Sequence, residues 1–162
     1  MLNIEQIIKE EISESELNDL KDFAYKYAEE HHEGFNSTDD AVEYLDWFIN
    51  HIKDIKNPLI LYRILFVDSV HGINKEELGK HFVNDKNLVY NISFMESIGF
   101  IRSDIENYNF FIATIETTTD NINWKDTIAA RLDYPNENEF TLKNNANFKI
   151  IKMEKADKTK FR

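Results

Sequence analysis

Residues 59–67 read Leu-Ile-Leu-Tyr-Arg-Ile-Leu-Phe-Val, and this stretch decides the fold. It is dense in strand formers and lacks polar alternation, the pattern of a strand covered on both faces. Broken by Arg63, it is too short to span a bilayer. Upstream the apolar period becomes helical. Ile4, Ile7, Ile8 and Ile12 predict a helix over 4–12, and Leu17, Leu20, Ala24 and Tyr27 predict a second behind the capping box of Ser13 and Glu16. Ser37 or Thr38, ahead of Asp39 and Asp40, caps a third that uses Ala41, Leu45, Phe48, Ile52 and Ile55 and ends before Pro58.

Downstream, Asn74 with Glu77 predicts one helical turn ending at Gly79, and Lys86 to Ile98 a longer helix before Gly99. Phe110 to Glu116, Glu137 to Leu142 and Phe148 to Met153 read as strands, the last two joined by a turn at Asn144-Asn145. Helices segregated from antiparallel strands define an α+β class. With no repeat and no Pro-rich or Gly-rich linker, residues 1–162 form a single domain: a helical region over 1–57, a β-rich core over 58–154 and a polar tail over 155–162 expected to fray. A chain of 162 residues, 42% hydrophobic with 4 Gly and 2 Pro, has the composition of a packed globule rather than a disordered segment.

The net charge of -11 sits almost wholly in the first third, where 5 Lys face 15 Asp and Glu over residues 1–57. Such a surface repels nucleic-acid backbones and would attract basic proteins, although a solvated helical face that keeps the chain soluble is its plainer reading. The chain has no cysteine, which excludes disulfides, thiolate metal sites and a cysteine nucleophile. Its first residues have neither the basic flank nor the apolar run of a secretion signal, so a cytoplasmic, non-membrane protein is expected.

Arg63 is the exception within its apolar strand, and a buried guanidinium requires an anion, whether from a ligand or from an internal carboxylate. Glu137 and Glu139, two apart in a strand, would point both carboxylates to one face, where mutual repulsion raises a pKa and suits a site that stabilises positive charge and removes a proton. Solvated edge charges are the plainer reading of that pair. His31, His32, His51, His71 and His81 show no metal-binding spacing, so no metal is expected. Hydrolase-elbow, P-loop and dinucleotide-fold glycine motifs are missing.

In their order and spacing, Leu61-Tyr62-Arg63, Glu137-Asn138-Glu139-Phe140-Thr141-Leu142 and Asn147-Phe148-Lys149-Ile150-Ile151 resemble the mono-ADP-ribosyltransferases of the arginine-modifying type. The segments 74–83 and 122–135 look similar to small phage and bacterial members. The resemblance spans residues 58–153 and implies N-terminal helices packed on two mostly antiparallel sheets, with NAD as substrate. It implies that Arg63 clamps the diphosphate and that Glu139 holds a ribose hydroxyl and faces the oxocarbenium-like transition state. Glu137 would orient an acceptor guanidinium and take its proton, while His81 and Phe82 line the cofactor site. The family's Ser-Thr-Ser strand has no visible counterpart. Its nearest position is Gly79 to Val83, with Val83 where a hydroxyl is expected, and Thr117-Thr118-Thr119 comes later in the chain. The alternative is therefore an inactive, host-directed protein of the same fold that binds a basic partner through its acidic helices.

Overall fold

The structure is a computed structural model that describes residues 12–66, 78–91, 95, 106–107, 109–134 and 138–161. All but Ile12 of the helix expected over 4–12 and the turn at 74–77 lie outside these residues, as do Glu137, His71 and most of 91–98.

Helix α1 spans Glu14–Glu30 and α2 spans Thr38–Ile52. Both begin where the sequence places their caps: Ser13 Oγ accepts the Glu16 N–H at 3.1 Å and Ser37 Oγ accepts the Asp40 N–H at 3.1 Å. Each bond satisfies one of the donors that a helix start leaves open. Leu17, Leu20, Ala24 and Ala28 of α1 meet Ala41, Leu45, Phe48, Ile49 and Ile52 of α2 in one apolar seam. Full burial of such a side chain stabilises by about 1.5–3 kcal/mol.

The run that opens the β-rich part forms strand β1, Leu59–Phe66. It is followed by β2 (His81–Val83), β3 (Phe110–Thr117), helix α3 (Trp124–Asp133), β4 (Glu139–Thr141) and β5 (Lys149–Lys155). These strands make one antiparallel sheet in the order β4-β2-β1-β3-β5. The position of β1 at the centre explains its unbroken apolar run, because both faces are covered. Leu59, Leu61 and Leu65 pack with Ala113, Ile115, Phe82 and Phe140 on one side. On the other, Ile64 packs with Val83, Val89, Phe110 and Ile112. Trp124 joins the first of these layers to the helical seam, with its ring 6.3 Å from Phe48 and 6.2 Å from Phe140.

The described strands form one five-stranded sheet. The chain turns at Asn144-Asn145 as expected, and β4 and β5 occupy opposite edges and do not pair. Lys143 N–H bonds the Asn121 carbonyl and Asn147 N–H bonds Asn121 Oδ1, which leads the chain past the end of β3 instead of folding it back as a hairpin. Residues 86–90 form a 3-10 helix capped by Asp85, not the start of an α-helix. The tail does not fray over 156–161: Ala156 N–H bonds the Phe110 carbonyl, and the Phe161 ring lies 5.2 Å from Tyr90 and 6.2 Å from Phe110. Among the described residues no helix is long and apolar enough to cross a membrane.

Candidate functional site

Strands β1, β2 and β4 are adjacent, so residues far apart in the sequence are carried to one place. Tyr62 pairs with Val83, and Val83 pairs with Glu139, which puts these three side chains on one face by strand alternation. Arg63 therefore starts from the opposite face. Its long side chain nevertheless crosses to β2, where Nη1 donates to the His81 carbonyl at 2.9 Å. That passage is open because residue 79 is glycine: a Cβ there would stand 3.2 Å from the guanidinium carbon, and the backbone has φ +72.

Burial pushes the Arg63 pKa down while the Glu139 carboxylate pushes it back up. The guanidinium remains a cation at any accessible pH. Its Nε is shielded from solvent and has no hydrogen-bond partner among the described residues. Such a donor is costly to leave unpaired.

The His81 imidazole shares the Glu139 face, with Nδ1 3.4 Å from Glu139 Oε1 and 3.3 Å from Thr141 Oγ1. Hydrogen bonding to Glu139 raises the His81 pKa, and burial opposes it. His81 is 56% exposed and Glu139 19%, so the pair is open to solvent from the imidazole side. Arg63 thus holds the backbone of β2, while the His81 imidazole and the Glu139 carboxylate form a side-chain pair able to move a proton.

Of the five residues singled out by sequence, Arg63, His81 and Glu139 come together. Glu137 lies outside the described residues. Phe82 is 1% exposed and sits in the core with its ring 6.4 Å from Phe148, so it supports the sheet and does not line an open site. Val83 is likewise core. The later threonines are structural: Thr117 Oγ1 donates to the Asn147 carbonyl at 2.6 Å, and the Thr119 N–H bonds Asn57 Oδ1.

Two neighbours of the cluster escaped the sequence reading. Thr141 supplies the hydroxyl beside His81, and its spacing of two from Glu139 is the signal that marks it. Arg131, 4% exposed, donates through Nε to the Glu139 carbonyl at 3.2 Å and through Nη1 to the Tyr44 hydroxyl at 3.3 Å. Its guanidinium is stacked between Phe48 and Phe140 at 4.2 and 4.7 Å. Arg131 thereby fixes the backbone that carries Glu139, next to Asn138 with φ 49. An arginine between Ile128 and Leu132 on the apolar face of a short helix is the signal for it. A separate cleft of about 520 Å³ runs between the starts of α1 and α3, past Leu20, Asp120, Trp124 and Lys143, and none of the Arg63 cluster lines it.

No family model matches the chain, and neither a curated protein nor a solved structure matches it.

Proposed function

We propose that the protein is an NAD-dependent mono-ADP-ribosyltransferase that modifies a protein side chain, arginine foremost, and that the Arg63, His81 and Glu139 cluster is its centre. The observation that carries this reading is the approach of those three residues on adjacent strands, Arg63 Nη1 bonding the His81 carbonyl at 2.9 Å and the His81 imidazole standing 3.4 Å from Glu139. On this reading the Arg63 guanidinium takes a phosphate oxygen of NAD, and Glu139 faces the positive charge that develops as the bond between ribose and nicotinamide breaks. The electron pair of that bond leaves with nicotinamide, an acceptor nitrogen bonds the ribose carbon, and Glu137 takes the acceptor's proton. The reading carries the ADP-ribosyltransferase fold with it, and the five-stranded sheet would be one of that fold's two.

Incubation of the protein with labelled NAD and a cell lysate tests it. Label is expected on protein, lost in Glu139→Gln and reduced in Arg63→Lys through a higher KM for NAD. Neither labelling nor nicotinamide release by the native chain, or full labelling by Glu139→Gln, would reject the assignment.

One observation favours a second reading, an inactive protein that docks a basic partner through its acidic helices. Trp47 is 56% exposed on α2, a helix that also exposes Asp39, Asp40 and Glu43. Large exposed aromatic residues bordered by charge mark interaction surfaces. A complex that dissociates with salt and in Trp47→Ala, yet survives Glu139→Gln, identifies this case.

A further inference from the structure

We propose that His31, Glu33 and Asp133 bind a divalent transition-metal ion that clasps the C-terminal ends of α1 and α3 together. The sequence gives no hint of it, because the third ligand comes from the far end of the chain. His31 is the C-cap of α1, Glu33 follows two residues later, and Asp133 is the last residue of α3. One donor atom from each lies within 4.8 Å of the other two. Ligands on a shared zinc ion sit about 2.0–2.2 Å from it. Their mutual separation in a tetrahedron is then about 3.5 Å, which a small side-chain adjustment reaches from the present spacing.

The surroundings call for positive charge. Two helices end here, and each C-terminus contributes a partial negative charge of about half an electron. Against the usual preference, the last turn of α1 contains no basic residue and includes Glu29 and Glu30. Arg131, the basic residue in the last turn of α3, is committed to Tyr44 and to the Glu139 carbonyl.

His31 is also held ready. Its ring stacks on Tyr27 at 4.3 Å, and its backbone N–H bonds the Tyr27 carbonyl, so the imidazole is oriented by the helix that it caps. One imidazole with two carboxylates suits zinc or cobalt better than magnesium or calcium, which take oxygen ligands. Because Glu33 is exposed, the remaining coordination positions are open to water.

Calorimetric titration of the chelator-treated full chain with ZnCl₂, CoCl₂ and MgCl₂ at neutral pH tests the site. One zinc per chain is expected, with Glu33→Gln and Asp133→Asn each weakening it about tenfold or more and Mg²⁺ competing poorly. The Co²⁺ form should show visible absorption that changes in His31→Gln, a readout tied to the imidazole. Glu33 is exposed, so its variant keeps the test sound if Asp133→Asn folds poorly. Absence of zinc binding up to about 1 mM overturns the proposal. Affinity unchanged in Glu33→Gln also overturns it, since that outcome means diffuse binding by surface acids.

Discussion

Arg63 reaches its place only because nothing projects from residue 79. Gly79→Ala would bring a methyl group to 3.2 Å from the guanidinium and force an L-residue to φ +72. We expect a loss of about 1–3 kcal/mol in denaturant unfolding and, on the proposed function, weaker labelling from NAD. An unchanged unfolding midpoint would show that the loop relaxes freely. Arg63 itself stood out in the sequence as a lone charge in an apolar run. Its acceptor did not, because a backbone carbonyl leaves no trace in residue identity. Glu139 was legible as part of a Glu-x-Glu pair, whereas Arg131 was hidden in a segment read only for its likeness to other chains. The residues that position the cluster are thus harder to read than those that form it.

At the scale of elements, helices with side-chain caps were the most legible. Ser13 and Ser37 lie where a hydroxyl can meet the third amide of an apolar helix, and α1 and α2 begin there. Helix α3 has the same signal in Asn123, whose Oδ1 accepts the Asp126 N–H at 3.1 Å, but its ten residues alternate too little between polar and apolar for the period to show. Short strands such as β2 and β4, three residues each, take their conformation from pairing and carry no period of their own.

The two acidic helices are also tied by the Tyr25 hydroxyl, which donates to Asp46 Oδ1. Burial first, and then Asp46, push the Tyr25 pKa up to about 12. A raised folded-state pKa means that the neutral hydroxyl contributes its full stabilisation below the ordinary value of 10.0 and loses it as pH climbs toward 12. The difference in unfolding midpoint between the native chain and Tyr25→Phe should therefore shrink across that window. A constant difference from pH 9 to pH 12 would contradict the assignment.

Across the whole molecule, the division into acidic helices and a β-rich part was legible from charge and period alone, but the strand order was not. No local pattern tells that β4 and β5, separated by a few residues, go to opposite edges of the sheet. The docking of the tail was equally silent, because Phe161 is one aromatic in a run of lysines. Its packing against Tyr90 and Phe110 predicts that Phe161→Ala costs about 1–3 kcal/mol in thermal or denaturant unfolding. A change below a few tenths would mean that the tail contributes nothing.

The placement of the last two strands also sets a timetable. As the chain leaves the ribosome, α1 and α2 can pair at once, since their partners are near in sequence. The central strand β1 must wait for β3, about fifty residues later, and both margins of the sheet stay vacant until synthesis reaches residues 139–155. For most of its birth the protein is therefore a helical pair trailing an unclosed, strongly apolar ribbon, and that interval is when its exposed strand edges are most open to aggregation.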